Sequence, residues 1–253
     1  MEMRQGHAQD LIVSVDHIDL VVTDPPYAFG GNGQEHELAA TVATVLRESA
    51  RRLKRGSWMV VFCASSWRSI SYMTEAVRGL LSPVRIATWT KPKSKTKVQT
   101  CGWKWASVSV IAMRKGPKNR HELGVSDVTA LDHISAPPVI NGRRAELPEV
   151  VCDWAVTPYA IDGGVFLDPF AGSGALVLAA ERRGMLGIGL ELGGIIDPGA
   201  IIADSAYRLG RSDERRGMPE PSMQAVSKAV LTKISPLLTE TQPSFIREDN
   251  GKY

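Results

Sequence analysis

Short apolar, β-branched runs alternate with helical stretches along most of this chain, and that alternation constrains its fold more than any other feature. Ile18–Thr23 (IDLVVT) is apolar almost throughout and stops abruptly at Asp24-Pro25-Pro26, as a strand buried on both faces does. A loop with Gly30, Gly31 and Gly33 follows. Residues 37–53 then space Leu38, Val42, Val45, Leu46 and Leu53 along one face of an amphipathic helix that ends before Gly56. Residues 58–63 read as the next buried strand, 66–80 as a helix and 85–90 as a further strand.

The second half repeats the pattern. Residues 106–113 have strand composition, whereas 115–142, rich in Pro, Gly, His and Asp, read as irregular. Residues 147–156 suggest a helix that leads into a strand at 165–167, cut off by Asp168-Pro169. Gly172-Ser173-Gly174 makes a turn, 175–183 a helix, and 185–190 another buried strand ending at Glu191, which completes a βαβ unit. Strands alternating with helices in this way predict an α/β fold with a mostly parallel sheet and helices on both faces. After Gly210 the composition turns polar, so 210–253 is expected to be a loosely held tail with one candidate helix at 223–238.

Two strand ends carry the chemistry, because open α/β sheets bind ligands at the carboxyl edge of their strands. At the first, Asp24-Pro25-Pro26-Tyr27, two prolines stiffen the backbone and supply carbonyls without N–H donors. The Asp24 carboxylate and the Pro25 carbonyl can thus both accept from an amino group on an aromatic base. Such acceptance draws the nitrogen lone pair out of the ring and toward tetrahedral geometry, with Tyr27 stacking on the base. The plain alternative is a strand-terminating turn. At the second, Asp168-Pro169-Phe170-Ala171-Gly172-Ser173-Gly174, glycines let the backbone approach a ligand closely at a helix start. Glu191, about twenty residues on, stands where an acidic residue receives ribose hydroxyls. This fits any nucleoside-bearing cofactor, but AGSG is not GxGxxG, which disfavours a dinucleotide.

Composition narrows the class. With 43% hydrophobic and 23% charged residues the chain is of ordinary globular type, so disordered and collagen-like classes are excluded for most of it. No apolar run approaches the ~18 residues of a membrane span, and residues 1–10 do not resemble a secretory signal. Cys63, Cys101 and Cys152 form no CxxC pair, and five scattered histidines show no ligand spacing, so neither a disulfide framework nor a metal is expected. A reducing cytoplasm fits best. The net charge of +3 hides an asymmetry: ten basic and no acidic residues lie between Arg85 and Arg120, leaving 20 basic against 27 acidic elsewhere. A polyanion partner follows.

The two blocks IDLVVTDPPYAFGG and, about 140 residues later, FLDPFAGSGALVLAAERRGMLGIGLE closely resemble the β group of DNA amino-methyltransferases, in which the target-base motif precedes the cofactor motif. The resemblance spans residues 6–209 in outline and is dense only in those blocks. It implies a permuted Rossmann-like, seven-stranded methyltransferase domain at 1–209 with a target-recognition insert at about 91–142. The cofactor implied is S-adenosylmethionine and the substrate double-stranded DNA. Asp24, Pro25, Pro26 and Tyr27 then form the target-base site. Asp24, Asp168, Pro169, Phe170, Ala171, Gly172, Ser173, Gly174 and Glu191 surround the cofactor, with Glu191 on its ribose. In this family aspartate at the first motif position usually accompanies adenine N6, and serine cytosine N4. Cytosine N4, an RNA base and a non-catalytic binding subunit remain as alternatives. A homodimer and a separate restriction endonuclease are partners the family suggests, in a bacterial or phage-infected cell.

Departures from the family pattern are specific. Ala175 and Leu176 replace the usual pair of threonines after the glycine turn, and Ser107-Val108-Ser109 replaces a glutamate. The usual Lys-Pro ahead of the cofactor strand survives only loosely as 143–148. In the recognition insert, Lys91, Lys93, Lys95 and Lys97 alternate with small or polar residues that cannot bury them, so they, with Lys104 further on, are expected on a surface that neutralises phosphates. Trp89, Trp103 and Trp105 are interleaved and could stack on bases or fill the gap left by an extruded one; the alternative places them in the core.

Overall fold

The computed structural model describes residues 1–26, 35–92, 102, 105–117, 131–139 and 146–193, all within the first of two compact units, Met1–Ile195. In chain order the elements are β1 (Glu2–Gln5), α1 (Ala8–Leu11), β2 (Ile18–Thr23), α2 (Glu35–Arg52), β3 (Leu53–Ala64), α3 (Trp67–Ala76), β4 (Ser82–Thr90) and β5 (Ser107–Arg114). They continue with β6 (His133–Ser135), α4 (Glu149–Val156), β7 (Val165–Asp168), α5 (Ala175–Glu181) and β8 (Leu186–Glu191). The candidate tail helix and most of the recognition insert lie outside the described residues.

The strands form one sheet in the order β1-β8-β7-β2-β3-β5-β4-β6. Among the described strands only β5 runs antiparallel, to β3 and to β4; the other pairings are parallel. The mostly parallel α/β fold is therefore present, but with eight described strands rather than the expected seven. The two strands not read in the sequence are the edges. β1 (EMRQ) is polar and half-exposed, and β6 is three residues long within the stretch taken as irregular. Edge strands need no apolar run, since only one side and part of one face are covered.

Two apolar layers enclose the sheet, and strand alternation assigns residues to them. Val60 and Phe62 of β3 join Leu20, Val22, Val108, Val110 and Phe166 against the inner faces of α4 and α5. Met59, Val61 and Cys63 of the same strand join Val21, Ile111, Met113 and Leu167 against Val42 and Leu46 of α2 and Met73 and Ala76 of α3. Central strands buried on both faces explain the continuous apolar runs of β2 and β3. Because seven strands point one way, Gln5, Thr23, Ala64, Thr90, Asp168 and Glu191 all end at one edge, and β5 begins there at Ser107.

Glycines set how closely the cofactor-side strands pack. A Cβ at Gly189 of β8 would stand 2.5 Å from the Met3 sulfur and 2.8 Å from the Ala171 Cβ. At Gly187 it would meet Val177 of α5 at 2.7 Å. β1 and α5 can thus lie directly on β8, which brings Ala171 and its turn against the end of that strand. Among the described residues no helix is long and apolar enough to cross a membrane.

Candidate active site

The two motifs meet through a buried bond. Thr23, the last residue of β2, donates from its hydroxyl to the Asp168 carboxylate at the end of β7 at 2.7 Å, joining residues 145 apart in sequence. The Phe170 N–H donates to the same oxygen at 3.1 Å. Asp168 is 1% exposed, and burial pushes its carboxyl pKa up to about 7. The negative charges of Asp24 and Glu191 raise it further, while the Thr23 and Phe170 hydrogen bonds pull the other way. Three carboxylates from three strand ends therefore share one region.

Asp24 follows Thr23 and is half-buried, with Pro25 buried beneath it and Pro26 exposed. Its charge also reaches Cys63, whose thiol is pushed up to about 12 chiefly by burial and secondarily by Asp24. Cys152 is raised by burial and then by Asp168. Both thiols are buried and inert, which leaves them a packing role. Tyr27 lies outside the described residues.

The glycine turn after β7 takes the conformations its residues allow. Gly172 has φ +51° and Gly174 has φ +78°, both in the left-handed region that a side chain disfavours. The Gly174 N–H closes the turn on the Ala171 carbonyl at 2.7 Å, and the Ala171 N–H bonds the Leu190 carbonyl at 2.9 Å, tying the turn to β8. The Glu191 carboxylate accepts from the Gly172 N–H at 2.8 Å and the Gly193 N–H at 2.9 Å. A Cβ at Gly172 would meet nothing within 4 Å, so the turn faces open space on that side. Asp168, Pro169, Phe170, Ala171, Gly172, Ser173, Gly174 and Glu191 thus lie around one strand edge.

The basic segment is anchored at the same edge. The Lys91 N–H bonds the Ala106 carbonyl at 2.6 Å, which closes the stem of the segment where β4 ends and β5 begins. Lys91 departs from the expectation of a freely solvated lysine. Its ammonium lies 4.5 Å from the centre of the Trp89 ring, and burial lowers its pKa, opposed by the Asp24 charge. Lys93, Lys95, Lys97, Trp103 and Lys104 lie outside the described residues. Trp89 corrects the reading of it as a base-stacking residue: it is 3% exposed, and its indole N–H is satisfied by the Ala136 carbonyl at 2.9 Å. Its place in the core follows from its position on β4, flanked by β5 and β6.

Two features of this edge were not read in the sequence. Ser107 and Ser109, which stand where the family carries a glutamate, each donate to the Ser65 hydroxyl, at 3.2 and 3.0 Å. Trp67, the first residue of α3, is 84% exposed. Among the described residues no group of three or more His, Cys, Asp or Glu side chains could hold a metal ion.

Comparison with known proteins agrees with this architecture. Solved structures with the same fold include TTHA0409 of Thermus thermophilus, described as a candidate DNA modification methylase and solved with S-adenosyl-L-methionine. It is 22% identical, with 83% of this chain and 93% of that chain covered and a TM-score of 0.58. The M1.HpyAVI–SAM complex is 19% identical over 82% of this chain and 98% of that one, TM-score 0.59. The PvuII DNA methyltransferase, cytosine-N4-specific, is 18% identical over 91% and 92%, TM-score 0.59. No curated protein matches. The family model for N6/N4 DNA methylases matches residues 18–194, well over half the chain and both motifs, and the chain therefore belongs to that DNA methylase family.

Proposed function

We propose that the chain methylates adenine N6 in double-stranded DNA, with S-adenosylmethionine as methyl donor. The observation that carries this reading is the meeting of Asp24, Asp168 and Glu191 at one strand edge, joined by the Thr23–Asp168 bond. The residues present fit the cofactor. An ionised carboxylate has about four acceptor positions, and Glu191 uses two of them on Gly172 and Gly193, which leaves two for the paired hydroxyls of a ribose. The open side of Gly172 admits a ligand against the backbone. Asp168 and Asp24 supply negative charge where a cationic ligand would sit. When bound, S-adenosylmethionine supplies an electrophilic methyl group on a sulfonium.

The chain's own residues do the rest. Asp24 Oδ and the Pro25 carbonyl accept the two amino hydrogens of the target base, which localises the nitrogen lone pair for in-line attack. Tyr27 stacks on the base, which must leave the duplex to reach this edge. Lys93, Lys95, Lys97 and Lys104 neutralise phosphates, with Trp103 stacking beside them. Lys91, held over Trp89, adds positive charge beside the site. The catalytic domain is taken as residues 1–209, with 91–142 as recognition insert and 210–253 as a polar appendage. We also propose a bacterial or phage-infected cytoplasm, pairing into a homodimer, and work beside a separate restriction endonuclease.

Asp24 at the first motif position favours adenine; the likeness to a cytosine-N4-specific enzyme supports cytosine N4 as the second reading. The test is methyl transfer from labelled S-adenosylmethionine to unmethylated bacterial DNA, with mass spectrometry of the nucleosides. N6-methyladenine is expected; N4-methylcytosine would keep the mechanism and reverse the base. Asp24→Ala should abolish transfer while DNA binding persists, and transfer at the wild-type rate would refute the role given to Asp24.

A further inference from the structure

Trp67 is 84% exposed, more than any other large hydrophobic side chain among the described residues. Its place is specific. β3 and β5 end their ladder at the Ala64–Val108 pair on the carboxyl edge of the sheet, where β2 delivers Asp24. Three residues beyond Ala64 is Trp67, and three before Val108 is Trp105, itself 43% exposed. Between them Ser107 and Ser109 bond to Ser65, fixing the two chain segments against each other. Ser66 caps α3, its hydroxyl accepting from the Ser69 N–H at 3.2 Å, so the helix start that carries Trp67 is held in place.

Exposing an indole to water forgoes a large apolar contribution, and α3 had alternatives: Met73 and Ala76 on the same helix are buried. Trp67 instead stands at the edge where a DNA substrate must enter. Arg68 follows it, and the stem of the lysine-rich segment closes beside Trp105 through the Lys91–Ala106 bond. Aromatic faces flanked by positive charge suit single-stranded or locally opened DNA, since every base offers a face to stack on and phosphates offer the counter-charge.

We propose that Trp67, at the same β3–β5 edge as Trp105, forms a stacking platform for a DNA base unpaired when the target base is extruded. The inference rests on the family's DNA substrate and adds the surface that holds the opened strand. It needs no assumption about which base is methylated.

The experiment compares wild type, Trp67→Ala and Trp67→Phe by fluorescence anisotropy with a labelled single-stranded oligonucleotide and with a duplex carrying a single unpaired base. Alanine should weaken binding to both by at least about five-fold, and more than it weakens binding to a fully paired control duplex. Phenylalanine should restore most of the loss. The slope of affinity against salt should stay at its wild-type value, since a neutral stack releases no counterions. Melting temperature should also hold, because so exposed a side chain carries little of the fold. Unchanged affinity in Trp67→Ala would overturn the proposal. So would a loss of self-association, measured by sedimentation, with DNA binding intact, since the indole would then face a second copy. If the wild type methylates no DNA yet the alanine variant still binds the opened duplex more weakly, the platform stands and the methylation reading falls.

Discussion

Replacing Asp168 by Asn tests the electrostatics of the site directly. Asp168 is 1% exposed, and its carboxyl pKa stands at about 7 against 3.8 for the free side chain, mainly because burial penalises the charge. Between those two values the folded protein holds a proton that the unfolded chain has released. The contribution is therefore complete below about pH 3.8 and is lost as pH rises through about 7. The span is about 3 pH units, on the order of 4 kcal/mol at ~1.4 kcal/mol per unit. For a domain of this size that corresponds to a fall on the order of 10 °C in melting temperature. Asparagine has nearly the same shape and no charge to lose. Calorimetric melting of both proteins without ligand, in steps from about pH 4 to about pH 8.5, should show the variant gaining on wild type up to about pH 7 and holding a constant lead above it. Because the other carboxyls are common to both proteins, they cancel in the difference. Parallel pH profiles would refute the presence of a buried carboxyl of raised pKa. Under the proposed cofactor assignment, wild-type affinity for S-adenosylmethionine should rise with pH through about 7, as a cationic ligand selects the ionised carboxylate; in the variant that rise should vanish.

Thr23→Val removes the hydroxyl that donates to Asp168 while keeping the side-chain shape. Urea unfolding should show a loss of about 1–3 kcal/mol at about pH 8, where the carboxylate is charged, and a smaller loss at about pH 5. Gly172→Val and Gly163→Val both force a β-branched residue into a left-handed conformation, and a Cβ at either position meets nothing within 4 Å. Each should cost about 1–3 kcal/mol of stability. Only Gly172→Val should weaken S-adenosylmethionine binding, by roughly ten-fold or more in calorimetric titration, because only that side chain would fill the space beside the Glu191 carboxylate.

Of the six strands visible in the sequence, β2, β3 and β5 are buried on both faces, where nearly every residue must be apolar and a run of β-branched residues has few other uses. Element ends were less clear. α2 passes straight into β3 at Leu53, five residues before the strand read from composition, because Gly56 takes φ +86° inside the extended segment instead of ending one element and delaying the next. α3 stops at Ala76 because the turn that follows needs Gly79 at φ +79°. β1 and β6 carried no signal, since each is short and has a single apolar residue, Met3 or Ile134, among polar ones, and their partners, β8 and β4, lie far away in the chain.

The motifs at 24–27 and 168–174 could be read locally because turn chemistry restricts which residues can stand there: proline without an N–H, glycine at positive φ, an acid at the end of a strand. That reading determined the fold class and the family resemblance, and it is the basis on which Asp24, Gly172 and Glu191 are proposed as site residues. It did not determine what lies beside them. The Thr23–Asp168 bond, the raised pKa that burial and two neighbouring carboxylates impose on Asp168, and the seating of Lys91 over Trp89 depend on strand order, which no local pattern encodes. The tryptophans make the same distinction. The sequence offered Trp89, Trp103 and Trp105 as stacking candidates and did not single out Trp67, and only the packed sheet decided that Trp89 would lie between strands with its N–H satisfied while Trp67 stood in solvent at the carboxyl edge. Local chemistry selects residues that can act at a strand end; packing at a distance decides their charge, their neighbours and which of them a substrate can reach.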